Sequence, residues 1–244
     1  MDEPRTAIVT GAGKRVGAEI ARALVADGWT VVAHVRSEQD SVAEGIVNIA
    51  ADLAGADCAE TIFAAAAGLP PVRLLVNNAA RFEWDGFGAF KTEEFDAHMA
   101  VNVRAPLLLT EAFAAAHDGK ADALVVNLLD SKLAAPNPDF LSYTLSKQAL
   151  AGLTELAARA LAPKGIRVNG IAPGLMLRSA GQSEENFAAM QSANPLRRGV
   201  GSGDVVAALR YLIDSRAATG QVLTIDGGQR FWSLTRDVQF LEKT

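Results

Sequence analysis

The chain has 244 residues, half of them hydrophobic and 21% charged, which supplies a sizeable core and excludes an extended disordered polymer. A formal net charge of −5 with no basic stripe excludes a general nucleic-acid binder, and a single cysteine, Cys58, excludes an internal disulfide and fits a reducing cytoplasm. No apolar run reaches signal-peptide or membrane-spanning length, so the sequence reads as a soluble cytoplasmic protein without a membrane partner.

Short β-branched runs alternate with longer alanine-rich stretches. Thr6–Thr10 reads as a strand and Val16–Ala26 as a helix closed by Gly28. Between them, Gly11-Ala12-Gly13-Lys14-Arg15-Val16-Gly17 turns the strand directly into the helix. Glycines there permit a tight turn and let a pyrophosphate approach the positive end of the helix. The last glycine falls one residue later than in the common dinucleotide fingerprint, and Arg15 stands where another glycine is expected. Thr30–Val35 is the second strand, ending in His34-Val35-Arg36-Ser37. No carboxylate is present there to hold a ribose 2′-hydroxyl, whereas the Arg36 guanidinium and Ser37 hydroxyl suit a 2′-phosphate. Lys14 and Arg15 add positive charge from the first turn, so the sequence favours NADPH over NADH.

Gly45–Ala50 reads as a third strand, Cys58–Ala67 as a helix, and Arg73–Val76 as a short buried strand. Thr92–His117 is predicted helical with a bend near Pro106, Ala123–Leu128 a strand, and Leu141–Leu161 a long helix. Gly165–Asn169 and Gln221–Ile225 supply two more strands, with a helix over Val205–Ile213 between them. Strands separated by helices imply βαβ units. The expected fold is α/β: a single-domain Rossmann fold over residues 1–244, with a doubly wound parallel sheet of about seven strands. The irregular stretch Leu175–Gly203 follows a strand end and mixes Gly, Ser, Asn and Pro, as a substrate flap would. On the long helix, Tyr143 and Lys147 lie four residues apart and share a face. An ammonium beside the phenol, with the positive charge of an oxidised nicotinamide, is expected to lower the tyrosine pKa from its usual value of about 10.

The chain resembles the short-chain dehydrogenase/reductase family over essentially its whole length. The resemblance is carried, in order, by the TGAGKRVG turn, Asp52-Leu53, NNAA at Asn77–Ala80, and Asn102 in VNVRAP. Further along come Tyr143 and Lys147 in SYTLSK, IRVNGIAPG at Ile166–Gly174, and TIDGG at Thr224–Gly228. It implies a catalytic group of Tyr143 as proton donor, Lys147 on the ribose, and Asn102 holding a water that links the lysine to solvent. It also implies that Gly11, Lys14, Arg15, Val16, Gly17, Arg36, Ser37, Asp52 and Leu53 bind the cofactor. Asn78, Ala79, Ala80, Pro173 and Gly174 would line the same groove, with Asp52 at the adenine edge. Similar proteins are usually tetramers joined by helices equivalent to Thr92–His117 and Leu141–Leu161, so a homotetramer or dimer is expected. No metal site is expected.

Two departures narrow the resemblance. Arg15 replaces the middle glycine of the turn, and Asp130 stands thirteen residues before Tyr143, where a serine is usual. Both are similar to the pteridine reductases and dihydromonapterin reductases, which implies a substrate site of Arg15, Phe82, Asp130, Tyr143 and Leu175, with Asp130 joining the catalytic group by orienting the ring and helping to deliver a proton. Phe82 would then cover a pterin ring. Arg15 would meet either the pterin carbonyl or a cofactor phosphate. Ser131 is adjacent to Asp130, so either residue could face the substrate. An NADPH-dependent carbonyl reductase of a ketone, 3-oxoacyl thioester or sugar is the alternative enzyme. A non-catalytic nucleotide-binding regulator has no use for an activated phenol.

Overall fold

The computed structural model describes residues 3–37, 45–178, 181–232 and 234–241; residues 179–180 of the Leu175–Gly203 segment, Ser233, and the last three residues of the tail lie outside the described residues. Seven strands are present: β1 (Thr6–Val9), β2 (Thr30–Val35), β3 (Val47–Ala50), β4 (Val72–Asn77), β5 (Ala123–Leu128), β6 (Ile166–Pro173) and β7 (Val222–Ile225). Side chains alternate along each strand and so feed two buried faces. Ala7, Val9, Leu74, Val76, Leu124 and Val126 join one core, while Ile8, Leu75, Ala123 and Val125 join the other. Burial on both faces is the condition of a parallel sheet wrapped by crossover helices.

Helices α1 (Arg15–Ala26) and α7 (Ser202–Asp214) cover the first face with Ile20, Leu24, Leu209 and Leu212. Helices α2 (Cys58–Ala64), α4 (Ala105–Ala116) and α5 (Leu141–Leu161) cover the second with Ile62, Leu109, Phe113, Ala158 and Leu161. Every pairing is parallel, and the strand order is β3-β2-β1-β4-β5-β6-β7. The chain therefore reverses its winding between β1 and β4, which opens a crevice beyond the carboxyl ends of those strands. This is a Rossmann fold. Among the described residues no helix is long and apolar enough to cross a membrane.

Three differences from the sequence reading have physical causes. The predicted helix Thr92–His117 is two helices, α3 (Thr92–Met99) and α4, joined by a π turn at Ala100–Arg104. Pro106 has no N–H to offer the carbonyl of Asn102, and the amide of Ala105 reaches back to Ala100 instead. Strand β6 continues to Pro173, beyond the predicted Asn169, because β5 and β7 pair with it on both sides. Within Leu175–Gly203, Glu184–Ala193 forms helix α6, capped by Ser183, whose hydroxyl accepts from the amide of Asn186. That Ser-Glu-Glu start is a helix signal the composition of the segment concealed.

The turn between β1 and α1 is closely packed. A Cβ on Gly17 would lie 2.2 Å from the Gly11 carbonyl oxygen and 2.6 Å from Asn78 Nδ2. Gly17→Ala is expected to lower stability by about 2 kcal/mol or more through overpacking, measured as a lower urea midpoint at unchanged slope.

Candidate active site

At the reversal point, β1 and β4 are clasped by side chains. Asn78 Nδ2 donates to the carbonyls of Thr10 at 2.8 Å and Gly11 at 3.2 Å. The Thr10 hydroxyl accepts from the amides of Asn78 and Ala79, both at 3.0 Å. Gly11 takes a left-handed φ of +64°, and an added Cβ would meet Ala79 Cα at 2.9 Å. Arg15, which opens α1, has φ +53°, a backbone region that disfavours a side chain by about 1–2 kcal/mol. Lys14, Arg15 and Arg36 are exposed, and among the described residues none pairs with a carboxylate. Ser37 is exposed beside Arg36. Asp52 follows β3 and accepts the amide of Ala54 at 2.9 Å, while Leu53 is buried against the second core. A cavity of about 430 Å³ opens between Lys14, Arg15 and Val16 on one side and Met176, Leu177 and Val200 on the other.

The opposite wall is the start of α5. The residue preceding it, Phe140, has φ +53° and no side-chain oxygen to cap the helix. Asp85, from the loop after β4, does so instead: Oδ1 accepts the amide of Ser142 at 2.9 Å and Oδ2 accepts its hydroxyl. One helical turn then presents Tyr143 and Lys147 to the crevice, both buried. The Tyr143 hydroxyl donates to Asp130 Oδ2 at 2.8 Å, and Asp130 Oδ1 accepts the amide of Lys132 at 2.8 Å. Ser131 is buried as the first residue of the short turn that follows. Of the adjacent pair, Asp130 is the one bonded to the tyrosine.

Burial sets the electrostatics here. Burial, followed by the Asp130 carboxylate, holds the Tyr143 phenol well above its ordinary range. Lys147 Nζ donates to the Leu128 carbonyl at 2.6 Å and lies 5.7 Å from the tyrosine ring centroid. The amine alone therefore does not lower the Tyr143 phenol; the expected lowering also counts the positive charge of an oxidised nicotinamide. Burial pushes Lys147 down to about 8, with Asp130 opposing, and burial also raises Asp130 above the usual carboxylate range. This is a protonated phenol hydrogen-bonded to Asp130, beside an amine that is largely charged near neutrality.

Asn102 occupies the π turn, where its side chain accepts the amide of Arg81 at 2.7 Å and donates to the Arg81 carbonyl and to Ser146 Oγ. It thereby fixes the loop after β4 against α5. Phe82, on that loop, is 41% exposed, stacks on Phe140 at 4.3 Å, and meets the Tyr143 ring edge-on at 4.7 Å. Ala80 is exposed near the start of this loop. Pro173 ends β6, and Gly174 packs so closely that a Cβ would meet Asp226 Cα at 2.9 Å. The amide of Leu175 is held by Gln229 Oε1 at 2.9 Å.

Two site residues escaped the sequence reading. His34, buried on β2, accepts the amide of Gly11 at Nδ1 (3.1 Å), leaving Nε2 to donate to the Ala51 carbonyl (3.0 Å). The loop carboxylate Asp85 is the other; its only sequence signal was an acid upstream of a helix lacking a cap. Asp85→Ala is expected to lower stability by about 1–3 kcal/mol, through the lost cap and an unpaired buried Ser142 hydroxyl. Asp85→Asn, which keeps one acceptor, should lose less in the same urea titration.

The chain resembles known proteins over nearly its whole length. The chain is similar to bovine (Bos taurus) L-xylulose reductase, with 32% identity over 92% of this chain and 96% of the relative. It is also similar to carbonyl reductase [NADPH] 2 of Sus scrofa, with 31% identity over 91% and 95% of the two chains. Among solved structures, FolM alternative dihydrofolate reductase 1 from Brucella canis, complexed with NADP, superposes with a TM-score of 0.87 and 36% identity, covering 95% of this chain and 96% of that one. The short chain dehydrogenase family profile matches residues 5–188. With this fold, these relatives and that match, the chain belongs to the short-chain dehydrogenase family of oxidoreductases.

Proposed function

We propose that the protein is an NADPH-dependent reductase of a small planar heterocycle, a pteridine or dihydropteridine. The observation that carries this reading is the Tyr143 hydroxyl bonded to a half-buried carboxyl group, Asp130, where the alternative chemistry needs only a neutral hydroxyl. A carboxyl in that place can orient ring nitrogens and an exocyclic amino group. The exposed face of Phe82, edge-on to Tyr143, supplies a stacking surface for a flat ring.

The residues present fit the dinucleotide. Among the described residues Lys14, Arg15 and Arg36, at the carboxyl edge of adjacent strands β1 and β2, pair with no carboxylate, and β2 through Ser37 carries no acid to repel a 2′-phosphate. The structure of the Brucella canis relative was solved with NADP, which supports the same choice. When bound, NADPH supplies the hydride. Tyr143, kept protonated by burial and by Asp130, delivers the proton, and Lys147 grips the ribose while charged. Asn102 holds the loop that carries Phe82 in register with α5. Arg15, with its left-handed backbone, reaches the pterin carbonyl or a phosphate. The segment Leu175–Gly203 closes the substrate side. Exposed Leu107 on α4 and Leu145 and Leu156 on α5 support a homotetramer or dimer joined through those helices.

A carbonyl reductase is the second reading, favoured by the names of the two mammalian relatives and by Ser131 beside Asp130. The deciding experiment follows NADPH oxidation with 7,8-dihydropteridines in parallel with simple ketones and 3-oxoacyl thioesters. Dihydropteridine turnover that Asp130→Ala reduces by about a hundredfold or more, the scale of a lost acid–base group, is the expected result. Turnover confined to ketones and insensitive to Asp130→Ala would replace the pteridine reading with the carbonyl one.

The lysine adds a pH signature. Its folded pKa is lowered to about 8, so the cationic form is lost as pH rises through that value. NADPH affinity should be flat below about pH 7 and fall by up to about tenfold per unit above 8, read by cofactor fluorescence. Lys147→Arg stays charged and should flatten that limb; identical profiles would remove Lys147 from the ribose.

A further inference from the structure

The C-terminal segment is pinned to the stretch of chain between Asp130 and α5. Arg236 forms a two-pronged pair with the buried carboxylate of Asp139, at 2.8 and 3.0 Å, and the amide of Asp237 donates to the same carboxylate at 2.9 Å. Lys132 reaches from the other side, donating to the Asp139 carbonyl at 2.6 Å and pairing with Asp237 at 3.3 Å. Lys132 is also the residue whose amide bonds Asp130. Asp237 then caps a short turn, Val238–Phe240, in which Val238 is buried.

That turn sets Phe240 against the site. Its ring stacks on Phe140 at 6.2 Å, Phe140 stacks on Phe82, and Phe82 meets Tyr143. The Arg236 guanidinium lies 4.9 Å over the same Phe240 ring. Beyond the turn, the Leu241 carbonyl accepts from Asn186 on α6 at 2.7 Å. One short segment thus ties the loop of Asp130 and Asp139 to the helix inside the flap. Asp237 is close enough that its charge contributes to holding the Tyr143 phenol up, after burial and Asp130.

We propose that Arg236–Leu241 is a fixed wall of this chain's own substrate compartment, latched by Asp139 and Lys132, and that Phe240 sets the size of the ring system admitted. The proposal rests on the reductase reading above. A substrate wider than one ring is held between the wall and the Tyr143 side, while a small ketone gains little from it. No new bond-making step is involved; the segment acts through affinity and orientation.

The test compares wild type with Arg236→Met, which keeps the side-chain stem and loses the pair, and with Phe240→Ala. KM and kcat are measured for a dihydropteridine and for a small monocyclic ketone, and the NADPH dissociation constant by fluorescence. Both variants should raise the dihydropteridine KM by about tenfold, the scale of one charge-assisted pair. The ketone KM and the NADPH constant should stay within about twofold. Trypsin cleavage after Arg236 in an Asp139→Asn variant should be at least about tenfold faster than in wild type if the latch is what holds the segment. A wild type that turns over both substrates, with variants unchanged for both, overturns the wall while leaving the reductase reading intact. A wild type that reduces neither sinks the reductase reading and the wall with it.

Discussion

The clasp between Thr10 and Asn78 is what the crevice depends on. Two parallel strands that diverge in winding have no backbone ladder beyond their ends, so the polar groups there need other partners. Asn78 and Thr10 provide them, satisfying two carbonyls and two amides across the gap. The loop after β4 leaves this clasp in a fixed direction. It runs past Arg81, held by Asn102, to Asp85, which caps α5. The helix that carries Tyr143 and Lys147 is therefore positioned from the same point as the glycine turn that opens α1. A single origin for both walls explains how residues distant in sequence keep their spacing.

Burial dominates the chemistry on the α5 side. A phenol, a carboxylic acid and an amine are all withdrawn from water, and each shifts toward its neutral form. Proximity of Lys147 to Tyr143 in sequence suggested an activated phenolate. In space the lysine is satisfied by the Leu128 carbonyl, and the phenol faces an acid. This arrangement favours giving a proton over taking one.

Much of this was legible in the sequence because it rests on local pattern. Strand alternation, the glycine turn and the four-residue spacing of Tyr143 and Lys147 are short-range signals, and the elements built on them fell within a few residues of their observed bounds. Asp130 was legible through its separation from Tyr143. What escaped were features that need a partner from elsewhere in the chain. The π turn at Ala100–Arg104 follows from Pro106 but is stabilised by Arg81, and the cap on α5 comes from a residue 57 positions away. Helix α6 was obscured because it is short and stands among loop-forming residues. The docking of the C-terminal segment depends on Asp139, a residue with no local signature at all.

His34 carries a consequence for how the cofactor crevice can deform. One imidazole spans the glycine turn and the strand end that leads to Asp52, with each nitrogen committed to a different backbone group. The ring is rigid and, being buried, resists protonation. It acts as a gauge block between the glycine turn after β1 and the chain that leaves β3. Neither end can widen without carrying the other along, so the crevice yields as one body rather than by its separate loops.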